Sequence, residues 1–172
     1  MIKSLDTWLI PYFRHALRRR VEVTGTRHLI FCIADHFEPF RGSTVTSLAR
    51  DNVRTWAREF QAFSARSREE SGIMPRHTWF YPAEEYDAEC LGIIKSLVAE
   101  GGGEVEIHLH HRNDTAPGLR DKLCAFRDRL HREHGLLGVD RAGQPRYGFV
   151  HGNWALCNSR PDGDWCGVNE EL

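Results

Sequence analysis

The chain reads as an α/β protein organised on a parallel sheet, and more narrowly as a partial, open parallel β/α barrel. Three observations lead to that class. Short apolar runs alternate with amphipathic segments of roughly 10 to 15 residues or more, a β-α-β-α-β rhythm that implies parallel strands joined by right-handed crossovers. The first run, His28 to Ala34, is nearly continuously apolar, as in a strand covered on both faces. Each run also ends in a cluster of His, Asp, Glu or Asn, and parallel sheets gather their sites beyond strand C-termini.

Taken in order, residues 1–27 form an N-terminal amphipathic helix segment. Trp8, Leu9, Tyr12, Phe13 and Leu17 recur at helical spacing, Pro11 kinks or divides the helix, and the basic run Arg18 to Arg20 sits where the helix dipole favours it. Such a helix suits a membrane surface or a partner, but packing against its own domain is the commoner fate, so it is expected as an outer, capping helix. The strand HLIFCIA (28–34) stops at Asp35-His36-Phe37-Glu38-Pro39. From Thr44 to Arg66 the period is 3.6, with Leu48, Val53, Trp56, Phe60 and Phe63 on one face and Ser43, Thr44, Thr46 or Ser47 available as cap. HTWFY (77–81) is a second strand ended by Pro82, and a helix follows from Pro82 to Glu100. Gly101 to Gly103 stop that helix. Glu106, His108 and His110 then alternate with Val105, Ile107 and Leu109, which puts imidazoles on one face of a third strand. Leu119 to His134 is a third crossover helix, and RYGFV (146–150) is a fourth strand ending in His151-Gly152-Asn153-Trp154.

The 172 residues suit one domain but are short for a closed barrel, which takes roughly 200 or more. A formal net charge of −1 provides no global basic field, so nucleic acid is not an expected partner. No apolar run of about 18 residues and no signal peptide is present, so no transmembrane segment is expected and the default address is the cytoplasm. Five cysteines, Cys32, Cys90, Cys124, Cys157 and Cys166, are an odd set without C-x-x-C spacing, which argues against a disulfide framework or a zinc ribbon.

Convergence of strand ends brings together Asp35, His36 and Glu38, then His110, His111 and Asp114, then His151 and Asn153. A mixed imidazole and carboxylate set suits a divalent metal, most simply zinc, with a position left open for water and a free Asp beside it as base. At these residues the chain resembles the polysaccharide deacetylases of the glycoside hydrolase/deacetylase β/α-barrel superfamily. Ala34-Asp35-His36 occupies the place of that family's first-strand pair of aspartates, and Glu106-Ile107-His108-Leu109-His110 resembles the strand that precedes its H-x-x-x-H motif. The resemblance implies Asp35 as general base, with His36, His110 and Asp114 as metal ligands. His36 stands where the family has Asp, and Asp114 where it has His. It further implies a catalytic part for His151, and substrate contacts from Glu38, His108, Asn153 and Trp154, the last as a stacking surface for a sugar ring.

On this reading the protein is a metal-dependent carbohydrate deacetylase-like hydrolase acting on an N- or O-acetyl sugar. Two alternatives stay open. One is a metal-free glycosidase using Asp35 or Glu38 with a second carboxylate; the other is a truncated barrel that binds carbohydrate without catalysis. Four strands and three crossover helices fall short of the seven or eight strands of that superfamily. Residues 28–172 are therefore expected to be the N-terminal portion of a longer β/α-barrel domain, inactive alone if the missing strands are needed, with an open sheet edge that invites self-association.

Overall fold

The computed structural model describes residues 5–18, 25–28, 30–42, 44–152, 163 and 165–168. Asn153, Trp154 and Cys157 lie outside the described residues. The chain divides into two units, residues 1–31 and 32–172. The first holds helix α1 (Leu5–Arg18), amphipathic and without a buried residue.

In the second unit, β1 (Ala34–His36), α2 (Thr46–Ser71), β2 (His77–Pro82), a single 3-10 turn (Ala83–Glu85), α3 (Ala88–Ala99), β3 (Gly103–Leu109), α4 (Ala116–Arg132) and β4 (Phe149–His151) follow one another. All strand pairings are parallel, in the order β1-β2-β3-β4, so consecutive strands are neighbours and helices supply the crossovers. The sheet is curled and, among the described residues, open at β1 and β4: a half-barrel flanked by helices. No helix among the described residues is long and apolar enough to cross a membrane.

The core lies between the sheet and its helices. Trp79 and Tyr81 of β2 and Val105 and Ile107 of β3 turn toward Val53, Ala57 and Phe60 of α2 and toward Cys90, Leu91, Ile94 and Leu97 of α3. Phe126 and Leu130 of α4 close the same cluster. Trp56 stacks on Phe60 with centroids 5.1 Å apart and meets Trp79 edge-on at 5.6 Å. The even-numbered partners, Thr78 and Phe80 of β2 and Glu104, Glu106 and His108 of β3, face the other side, the concave side of the half-barrel.

Local chemistry sets the ends. Gly72 stops α2 in the left-handed region at φ 72°, donating its N–H to Arg68 O at 3.0 Å. Asp87 caps α3, accepting from the backbone of Glu89 and Cys90, and Thr115 caps α4 through Gly118 N–H. α2 departs from expectation at its start. Val45 is its N-cap and makes no side-chain cap bond. The first strand departs further, because the ladder begins only at Ala34, where the apolar run was expected to finish. Ile30 and Phe31 are 84% and 81% exposed. β2 pairs with β1 only from Thr78 onward, whose N–H donates to Ile33 O at 3.0 Å, so Ile30 and Phe31 precede the ladder.

Candidate functional site

Because side chains of parallel neighbours in register point to the same side, the pleat sorts the polar residues into two sets. His36 is level with Phe80 and Glu106, and His108 is level with Pro82 and Val150, all on the concave face. Asp35 is level with the buried Trp79, and His151 with the buried Leu109, both turned toward the helices. The two residues expected as catalytic, Asp35 and His151, therefore stand on the opposite face of the sheet from His36 and His108.

On the concave face His36, Glu38 and His108 form a group whose donor atoms all lie within 4.8 Å of one another, and it could hold a metal ion. The His36 and His108 rings meet edge-on at 4.4 Å. His108 is fully buried, and its Nδ1 lies 2.8 Å from Val150 O on β4. A carbonyl can only accept, so Nδ1 carries the hydrogen and Nε2 presents a lone pair. That lone pair faces Glu38 Oε1 at 3.5 Å, and Nε2 has no hydrogen-bond partner among the described residues. Burial, reinforced by the neighbouring imidazoles, holds His108 below the ordinary imidazole pKa and keeps the ring neutral. Two acceptors thus face each other in a buried place. A cation between them satisfies both, and the carbonyl on the far nitrogen is the usual outer support of a metal-bound imidazole.

His110 adjoins this group, its ring 4.6 Å from that of His108 and its Nε2 3.8 Å from Glu38 Oε1. Its other nitrogen is tied down. Glu84 Oε1 accepts from His110 Nδ1 at 2.5 Å and from the His110 backbone N–H at 3.0 Å. Beside the pair opens a cavity of about 440 Å³ lined by Ala83, Glu84, Leu109, His110, Lys122 and Phe126, among others. Glu85, next along the 3-10 turn, accepts from Phe40 N–H at 2.8 Å and so ties the loop that carries Glu38 to the end of β2. Burial raises the Glu85 carboxyl above its ordinary value.

The remaining expected residues are engaged elsewhere. Asp35 lies 3.7 Å from His77 Nε2, and that neighbouring imidazole holds the carboxyl below its usual range. His77 itself is buried against Trp56 and Trp79. Asp114 is bonded to Lys122 Nζ at 2.6 Å and lies 3.5 Å from His111 Nδ1. Burial pushes its carboxyl up, but Lys122 and the Thr115 N–H outweigh that and leave it below the ordinary value. His111 and His151 meet ring to ring at 4.8 Å. Of the three ligands expected from sequence, His36 is in the grouped set, His110 stands next to it, and Asp114 is held by Lys122. Glu38 and His108, expected to face substrate, supply the other two grouped donors.

Glu84 was absent from the expected site. The same rule that singled out the other strand ends would have found it, since it follows β2 directly, but the segment read as the opening of a helix. Comparison of the chain with protein-family models, curated proteins and solved structures finds no match.

Proposed function

We propose that the protein is a metal-dependent hydrolase of the carbohydrate deacetylase type, removing an acetyl group from an N- or O-acetyl sugar. The observation that carries the reading is the buried confrontation of His108 Nε2 with Glu38 Oε1, two acceptors 3.5 Å apart with His36 alongside. Two imidazoles and a carboxylate match a catalytic zinc set, which leaves a coordination position open. A divalent ion held there supplies Lewis acidity toward an acyl carbonyl and lowers the pKa of a water.

The chain's own residues do the rest. Val150 O fixes the His108 tautomer. Glu84 orients His110 so that its Nε2 points to the same space, where it can take a proton from the attacking water and return it to the sugar's leaving nitrogen or oxygen. His36 and Glu38 themselves line a cavity of about 260 Å³, and the larger one, on the α4 side, meets the site at His110 and Glu84, within the roughly 300–1,000 Å³ of small-molecule sites. Asp35 supports the sheet through His77 in this scheme.

Metal analysis of protein purified without an affinity tag tests the reading, paired with acetate release from acetylated sugar oligomers. Near-stoichiometric zinc, lost in Glu38→Gln while the protein stays folded, is the expected result. Protein that remains metal-free in the presence of zinc sinks it. Glu38 and Glu84 flank the His110 ring on its two nitrogens, so glycosidic cleavage by metal-free protein would point instead to a two-carboxylate glycosidase.

A further inference from the structure

Helix α1 has no place in the chemistry above, yet five of its large apolar residues, Trp8, Ile10, Tyr12, Phe13 and Leu17, are exposed by 42% or more. We propose that α1 is a membrane-surface anchor that lies in the headgroup region of an anionic lipid bilayer. At 3.6 residues per turn, Trp8, Leu9, Ile10, Tyr12, Phe13 and Leu17 sweep an arc of roughly 200°. Arg14, His15 and Arg18 gather on the remainder, while Asp6, the only acidic residue of the helix, falls within the arc in its first turn. Ile10, Tyr12, Phe13 and Leu17 are 60%, 59%, 55% and 83% exposed, and no residue of the helix is buried.

Charge selects the occupant. The whole chain is slightly acidic at −1, whereas its densest basic run, Arg18 to Arg20, begins on the last residue of this helix. Residues 1–27 hold six Lys and Arg against two Asp and Glu, a formal charge of +4 beside −5 for the rest of the chain, which complements an anionic lipid surface. The apolar residues argue the same way. A helix that docks in a protein groove needs only a narrow stripe at i, i+3, i+4 and i+7, while this arc spans more than half the circumference. It also groups the ring types that favour a membrane interface, Trp8 meeting Tyr12 edge-on at 6.3 Å and Tyr12 meeting Phe13 at 5.7 Å. At 14 residues the helix is about 21 Å long, enough to lie along a surface and too short to span a bilayer.

Co-sedimentation of the full chain with phosphatidylcholine vesicles, with and without phosphatidylglycerol, tests this. Binding is expected to the anionic vesicles only, and to weaken as salt is raised. The apolar double variant Phe13→Ser/Leu17→Ser and the charge double variant Arg14→Gln/Arg18→Gln should each lower partitioning by about tenfold or more, with circular dichroism and melting temperature unchanged. Absence of binding, equal binding to neutral vesicles, or binding that neither variant alters would overturn the proposal. So would sedimentation velocity showing that the wild type self-associates and the apolar variant does not, in protein that ignores vesicles; α1 would then be a face between copies of the chain.

Discussion

Replacing Asp87 separates two contributions that hold the end of β2 to the helical layer. Its Oδ1 accepts from Glu89 N–H at 3.1 Å and Cys90 N–H at 2.9 Å, while Oδ2 takes Arg50 Nη2 of α2 at 2.8 Å. Arg50, above all, draws the Asp87 carboxyl from 3.8 down to about 2. At 1.36 kcal/mol per pKa unit that displacement corresponds to roughly 2.5 kcal/mol, and solvent screening of the partly exposed Arg50 reduces it to about 1–1.5. Asp87→Asn keeps a capping oxygen and loses the charge, so it should cost about 1–1.5 kcal/mol at neutral pH. Asp87→Ala loses the cap as well, adding about 1 kcal/mol. Because the folded state favours the carboxylate, the contribution is complete above about pH 4 and drains away as the pH falls toward 2. Urea unfolding at neutral pH and at stepped acid pH measures both effects. The wild type should lose stability across that window more steeply than Asp87→Asn. Equal acid slopes in the two proteins, or identical losses for Asn and Ala, would refute the separation. The effect should reach the site too, since the 3-10 turn held next to Asp87 carries Glu84 and Glu85.

Three further outcomes are expected. Gly103→Ala should cost about 3 kcal/mol or more, or prevent folding, because φ is 140° and a Cβ there would drive into the His77 backbone, 2.7 Å from both its N and its C; thermal melting or soluble yield checks this. Gly152→Ala should reduce acetate release by tenfold or more with little change in melting temperature, since the added methyl would sit 2.6 Å from His110 Nε2 and displace that ring; full activity in the variant would count against His110. Cys90 should resist thiol reagents in the native protein while the exposed Cys32 reacts, because burial pushes the Cys90 thiol up to about 12; peptide mapping after labelling reads both, and prompt labelling of Cys90 would contradict its burial.

The parallel α/β architecture was legible because period and composition carry it: the faces of α2, α3 and α4 and the alternation of β3 follow directly from where the apolar residues fall. The beginning of β1 was not legible, since apolarity marks what a run can bury, and a ladder also needs a partner with amides in register. The site was legible as a region and not as a set of contacts. Adjacent residues such as Asp35 and His36 look like one cluster in a sequence, yet the pleat sends them to opposite faces, and which face holds the imidazoles depends on inter-strand register. Glu84 escaped because Pro-Ala-Glu-Glu reads equally as the first turn of a helix. The 3-10 turn, with the true helix starting only after Asp87, is decided by the Asp87 cap and by the bond from Tyr81 Oη to Glu85 O at 3.1 Å.

The bond from His108 Nδ1 to Val150 O makes a donor on β3 depend on a strand that comes later in the chain. Val150 is 42 residues downstream of His108, so during synthesis β1, β2 and β3 exist before the carbonyl that selects the tautomer does. Until β4 docks, either imidazole nitrogen can carry the hydrogen, and the lone pair that faces Glu38 is available only part of the time. An ion at His108 Nε2 would then have to select the tautomer itself, so the fourth strand would tighten its hold. The donor set of the concave face is thus completed by a carbonyl that lies outside it, on the neighbouring strand.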